Sequence, residues 1–320
     1  MRQSALTAVY ELAKRDPRVL FIGSDLGAGV LDKFKSEMPD RFFMEGVSEA
    51  AIIGMSAGLA MDGYIPYVNT IATFLTRRCF EQVAVDLCLH ELPVRLLASG
   101  GGAVYAPLGS THMALEDIAI MRALPNMTVV CPADAPEMTR VVEATLDIPN
   151  PVYIRFGKGG DPVISSADNG FALGKAITMR PGKDAVIFST GVMTARALEA
   201  AKTLADAGME ASVIHVHTVK PLDERAICEA AARCPLVVTL EEHTRIGGLG
   251  SAVSDALAEA AISTRQLRLA FPDAFIGTYG SQDSVLLEFG LQPPQIANSI
   301  AEALGTRGAR NIGLAHTRTG

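Results

Sequence analysis

The residues whose types and spacing suit chemistry are few. Glu49 leads the run Ala-Ala-Ile-Ile-Gly-Met-Ser-Ala-Gly-Leu-Ala, and no further charge follows until Asp62. A carboxylate at a helix N-terminus is ordinary, because the helix dipole favours negative charge there. A carboxylate leading a helix this apolar is less ordinary, because the helix must be buried and draws the acid in with it. A carboxyl group held among apolar neighbours is suited to proton chemistry; the plainer alternative is a helix cap. His112 follows Ser110-Thr111 beyond the Gly-rich stretch Ser99-Gly100-Gly101-Gly102 and precedes an apolar helix. A loop therefore presents it to a cleft, where a neutral imidazole can donate or accept a hydrogen bond; the alternative is a loop histidine that is merely exposed. Asp25 and Arg155 each stand at the end of an apolar run.

These residues need elements to hold them. Apolar spacing predicts a helix over 2–15, a buried strand at 19–22 stopped by Gly23-Ser24-Asp25, and a short strand at 41–45. Glu49 opens a helix to about Asp62. A strand follows at 65–69, with Pro66 near its start where proline is tolerated. Next come a long helix over about 73–91, a strand at 93–98, a helix opened by Glu116-Asp117, a strand at 127–132, a helix from about 135 and a strand at 151–156. A second alternating set begins near Asp184 and ends in a helix to about 303. The alternation argues for an α/β protein of two consecutive doubly wound, mostly parallel sheets. The expected boundaries are 1–160, an exposed linker at 161–182, a second domain at 183–305, and a polar, fraying tail at 306–320. In such sheets chemistry sits at the carboxyl ends of strands. Asp25, Glu49, the 100–112 loop and Arg155 all fall at or just beyond such ends.

Bulk properties narrow the partners. The chain has 320 residues, 49% of them apolar and 20% charged, with a formal net charge of −7. That balance argues against nucleic acid or an anionic membrane as the main partner. Five cysteines without a CxxC spacing read as reduced core residues of a cytoplasmic protein. The N-terminus lacks the apolar core of a signal peptide, and no apolar run reaches the length of a membrane span. His215, His217 and His243 have no carboxylate or cysteine spacing that makes a metal site, so packing or an interface is expected of them.

In order along the chain stand Glu49, Tyr64-Ile65-Pro66-Tyr67, Thr73-Phe74-Leu75-Thr76-Arg77 and Ser110-Thr111-His112. The second half carries Val216-His217-Thr218-Val219-Lys220-Pro221-Leu222-Asp223 and 240–250, Leu-Glu-Glu-His-Thr-Arg-Ile-Gly-Gly-Leu-Gly. Over about residues 3–305 this resembles the pyrimidine-binding and C-terminal domains of the transketolase family of thiamine-diphosphate enzymes. The resemblance implies that Glu49 hydrogen-bonds the cofactor's aminopyrimidine and starts its activation. It implies that Phe74 stacks on that ring, with Ile71 forming a less aromatic pocket wall and Asp25 near the cofactor and the interface between subunits. His112 would lie by the substrate hydroxyls. Arg155, Lys158 and Arg77 are implied as substrate-binding, a guanidinium fork being suited to a phosphate. The helix-core, turn and surface-charge alternatives stand beside each of these.

The family's Gly-Asp-Gly motif for metal and diphosphate occurs nowhere in the sequence. The chain therefore looks like the C-terminal subunit of a split enzyme. A partner subunit would hold Mg²⁺ and the diphosphate in an α2β2 assembly containing a second copy of this chain. The expected activity is transfer of a two-carbon ketol unit from a ketose, phosphorylated in the expected case, to an aldose. Departures weaken the substrate assignment. Transketolases follow the catalytic glutamate with a histidine, where Ala50 stands here, and Leu108 replaces an acid of the loop. Lost hydroxyl-binding groups point to a different sugar. The alternatives are a 2-oxoacid dehydrogenase beta subunit or decarboxylating synthase, and a non-catalytic paralogue that binds the partner.

Overall fold

Runs of Val, Ile, Leu and Phe that are buried on both faces belong to the interior of parallel sheets. The computed structural model, which describes residues 1–23, 29–44 and 46–305, contains two such sheets. The first has seven strands in the order β10-β5-β6-β4-β3-β1-β2. They are β1 (Val19–Gly23), β2 (Phe42–Met44), β3 (Ile65–Ile71), β4 (Arg95–Ser99), β5 (Thr128–Val130), β6 (Val152–Phe156) and β10 (Thr218–Lys220). All pair in parallel except β10, which joins the β5 edge antiparallel. The second has five strands, β12-β11-β8-β9-β7. They are β7 (Ile177–Arg180), β8 (Ala185–Ser189), β9 (Ala211–His215), β11 (Leu236–Thr244) and β12 (Arg265–Phe271). The fold is α/β with two mostly parallel sheets, as the alternation predicts.

Helices cover both faces. In chain order α1 (Arg2–Arg15), α2 (Val30–Glu37) and α3 (Glu49–Met61) come first. The fourth, α4, runs through Phe74–Arg78, Phe80–Gln82 and Val83–Leu89, and its first and last parts are wound wider, with i→i+5 bonding. α5 (Asp117–Ala123) and α6 (Ala135–Thr145) complete the first half. The second half adds α7 (Met193–Asp206), α8 (Glu224–Ala231), α9 (Leu249–Glu259), α10 (Gln282–Glu288) and α11 (Pro293–Ala303). Two features depart from a clean division. The segment read as a linker supplies β7, an edge strand of the second sheet, and β10 from the second half closes the first sheet. The expected tail at 306–320 lies outside the described residues, as does Asp25.

The carboxyl edge of the second sheet, where such sheets bind ligands, is instead packed against the first domain. Cys131 donates its amide to the His217 carbonyl at 2.7 Å, and Gly191 donates to the Cys131 carbonyl at 3.2 Å. Beneath this seam His215 Nε2 lies 2.9 Å from a Glu137 carboxylate oxygen, both side chains fully buried. Thr194 Oγ1 holds the other ring nitrogen of His215 at 2.8 Å. His217 packs beside them, its ring centroid 4.6 Å from that of Phe171. These histidines serve the domain interface.

Burial pushes His217 down to about 4. Burial alone would raise the Glu137 carboxyl, but the neighbouring charge and hydrogen bond of His215 outweigh it and hold the group below its usual range. Both shifts act with one sign. Unfolded His217 binds its proton near 6.5 and the folded residue only near 4. Between those values the unfolded chain holds more protons, so stability falls as pH falls. Glu137 adds to this at lower pH, where its favourable charged form is lost. Chemical denaturation between pH 7 and 4 should show this loss, with about 3 kcal/mol from His217 alone. His217→Asn should flatten the slope between pH 6.5 and 4; an unchanged slope would place the titration elsewhere.

Candidate active site

Three successive strand ends build the site. β2 leads through a turn into α3, whose first residue is Glu49, and the carboxyl goes in with the apolar helix: Glu49 is 2% exposed. β3 ends at the half-buried Ile71, and Phe74 stands half-buried at the start of α4. β4 ends at Ser99 and feeds the Gly-rich loop that presents the half-buried His112. The ring of His112 meets that of Phe74 edge to face, with centroids 5.3 Å apart and planes at 68°. Thr111 Oγ1 lies 2.9 Å from His112 Nδ1.

Arg78 joins Glu49 to Phe74, and the sequence reading passed over it. Its Nη1 donates to Glu49 Oε2 at 2.6 Å, and its guanidinium carbon stands 4.5 Å from the centre of the Phe74 ring. Glu49, Arg78, Phe74 and His112 therefore form one contiguous row. The signal was present in the sequence as the i, i+4 spacing of Phe74 and Arg78.

Arg77 and Arg155, expected at the substrate, also have guanidinium groups engaged within the chain. Arg77 pairs with Glu116 through two nitrogens, one at 2.9 Å, and donates to the carbonyls of Ser110 at 3.0 Å and Met113 at 2.9 Å. It clamps the base of the His112 loop. Arg155 is 4% exposed and pairs with fully buried Asp117 at 2.8 Å. It also donates to the carbonyls of Ala114 at 3.2 Å and of Glu242 at 2.7 Å, tying β6, the loop and β11 together. Lys158 stands exposed just past β6. A cleft of about 580 Å³ opens beside Arg77, Ser110, Met113 and Glu116, between the loop and residues 273–276; neither Glu49 nor Phe74 lines it.

The glycines of the loop serve close packing. A Cβ on Gly101 would stand 2.5 Å from Cγ of Arg155, and one on Gly102, at φ +76°, would stand 2.4 Å from the Glu242 carboxyl carbon. Glu242 is buried, accepts from the Ala103 amide at 2.8 Å, and takes the Gln282 amide at 2.8 Å. Burial favours its protonated form and pushes the group above its usual range. Nothing in its local sequence distinguishes it from its neighbour Glu241, which instead accepts the first amides of α9.

Comparison with known proteins places this geometry. Residues 1–160 match the family described as transketolase, pyrimidine binding domain, and residues 174–296 match transketolase, C-terminal domain. The chain belongs to the transketolase family. A 6-deoxy-6-sulfo-D-fructose transketolase subunit, SqwH, from Clostridium sp. (strain MSTE9) is 38% identical over 304 residues, covering 94% of each chain. An apulose-4-phosphate transketolase subunit of Phocaeicola vulgatus is 35% identical, covering 94% of this chain and 96% of its own. A solved structure titled split gene transketolase, inactive beta4 tetramer, superposes with a TM-score of 0.87 at 36% identity, over 95% of this chain and 98% of that one. A 1-deoxy-D-xylulose-5-phosphate synthase of Caldanaerobacter subterraneus is 36% identical, but only 47% of its length is spanned. This chain thus corresponds to the C-terminal part of single-chain members and to the whole length of the split transketolase subunits. The resemblance read from the sequence is a true family relationship.

Proposed function

We propose that this chain is the C-terminal subunit of a split transketolase that transfers a two-carbon ketol unit from a ketose to an aldose, using thiamine diphosphate. The observation that carries the reading is the row of buried Glu49 and half-buried Phe74 and His112, joined through Arg78, at the carboxyl ends of β2, β3 and β4. The donor set suits the pyrimidine end of that cofactor. A planar nitrogenous group, the Arg78 guanidinium, already lies against both the Glu49 carboxylate and the Phe74 ring, so the space accepts a flat base. Among the described residues no three His, Cys, Asp or Glu side chains converge on a metal position, and Gly-Asp-Gly is absent. We therefore assign the diphosphate and Mg²⁺ mainly to a partner subunit, with two copies of each chain in the working complex.

When bound, the cofactor supplies the carbanion-stabilising chemistry that breaking a ketol carbon–carbon bond requires. Glu49 would hold the pyrimidine end of the cofactor and serve as its proton-exchanging group, work that calls for a carboxyl shielded from water. Phe74 and Ile71 set the ring's plane. His112 hydrogen-bonds substrate oxygens above it, its ring fixed by Phe74 and its loop by Arg77. Asp25 is assigned to the cofactor and the interface with the partner. Lys158 is the cation proposed for a substrate's anionic end. The two subunit relatives are named for a sulfonated and a phosphorylated sugar, which supports a substrate carrying a terminal anion. Arg77 and Arg155 are given positioning roles here, because the donors that bond within the chain hold the His112 loop and join β6 to β11.

Absence of a helix long and apolar enough to cross a membrane among the described residues agrees with a cytoplasmic enzyme acting on small sugars. Co-expression with a Gly-Asp-Gly-bearing chain should give a complex that moves a two-carbon unit from a ketose phosphate or sulfo-ketose to an aldehyde. Release of CO₂ from pyruvate by that complex, without ketol transfer, would favour the synthase reading.

A further inference from the structure

Arg78 sits where it should not remain during catalysis. A guanidinium is flat, carries nitrogen donors around a central carbon, and pairs with carboxylates while stacking on aromatic faces. The Arg78 group does both at once, 2.6 Å from Glu49 and 4.5 Å from the centre of the Phe74 ring. These are the two surfaces on which the proposed function places the cofactor's pyrimidine, and one flat group excludes the other. Glu49 is 2% exposed in its side chain, whereas Arg78 is 49% exposed. The carboxylate is thus covered by an arginine that is itself half exposed to solvent. The ion pair is half in water and the contact with Phe74 is half solvated, so each contributes modestly.

We propose that Arg78 is an internal stand-in for the cofactor's pyrimidine ring. It satisfies the buried charge of Glu49 and covers Phe74 in the unloaded subunit, then swings out when the ring enters. The inference rests on the reading that Glu49 and Phe74 receive that ring. It makes Arg78 a positioning residue whose displacement costs binding energy, which a residue that merely braces the fold would not do.

Calorimetry on the assembled complex tests it, with thiamine diphosphate and Mg²⁺ as the titrants. Arg78→Met keeps length and removes both the charge and the flat fork; it should tighten cofactor binding about tenfold, since the ring no longer competes with an ion pair and a stacked cation. Arg78→Lys, which retains charge without the fork, should fall between wild type and Arg78→Met. In the full chain alone, the Arg78 side-chain Nε resonance should shift on Glu49→Gln and again on adding thiamine. Equal or weaker cofactor binding by Arg78→Met would overturn the proposal and make Arg78 a cofactor contact or a brace. An Nε resonance insensitive to Glu49→Gln would overturn it as well. If wild type and both variants all fail to bind the cofactor, the functional reading falls and this inference with it.

Discussion

Glu49→Gln in the assembled complex should lose at least about a thousandfold in turnover, the upper part of the range for removing one acid–base group. The variant should keep its fold. The amide is nearly isosteric with the carboxyl, so the first turn of α3 is undisturbed. Its carbonyl oxygen can still accept from Arg78, which loses an ion pair but is 49% exposed and therefore well solvated. The fully buried side of the site changes by one atom type. What disappears is the capacity to take and return a proton at a position shielded from water. The comparison is steady-state ketol transfer beside a thermal melt of the same preparation. Activity within tenfold of wild type at an unchanged melting temperature would remove Glu49 from the chemistry.

Asp117→Ala should destabilise the chain by about 3–5 kcal/mol, the range for stranding one member of a buried ion pair. Arg155 is 5% exposed in its side chain and Asp117 not at all, so the guanidinium left behind is almost wholly buried. Tyr153 would also lose its acceptor, since its hydroxyl donates to Asp117 at 2.7 Å. Removing both charges tells a different story. Asp117→Leu with Arg155→Met should recover much of the loss, because burying two apolar groups costs less than burying one unpaired charge. Recovery should stay incomplete, since the carbonyls of Ala114 and Glu242 lose the donor they share. A fall in melting temperature on the order of 10 °C is expected for the single change; a fall under about 2 °C would show that the pair is not the strut described.

The two cases also mark what was legible in the sequence. Glu49 stood out because twelve residues pass between it and the next charge, and a contrast of that kind survives folding. The strands were legible because parallel interior strands are continuous apolar runs. The ion pair of Arg155 was not legible, because a strand-end arginine looks the same whether it faces a ligand or an acid, and its acid lies 38 positions away. Choosing between Arg77 and Arg78 required the phase of α4, and the wide winding of Phe74–Arg78 shifts that phase away from an ordinary α-helix. The crossing of β10 into the first sheet has no local mark either, because three residues carry too little pattern to choose a sheet. Phe74 and Ile71 were singled out by family resemblance alone, because local pattern does not separate them from core residues. The resemblance gave no sign of the contacts that Arg77 and Arg155 make within the chain.

The loop that carries His112 belongs to two masters. It departs from β4 of the first sheet, yet its apolar residues Ala103, Ala106, Met113 and Leu115 pack into the core beneath the second sheet. A similar solved structure is titled split gene transketolase. A cut between the pyrimidine-binding half and the C-terminal half would separate the loop of His112 from its own foundation. Exchanging C-terminal halves between relatives should therefore re-aim the histidine and change sugar preference, even though no residue of that half need touch the sugar.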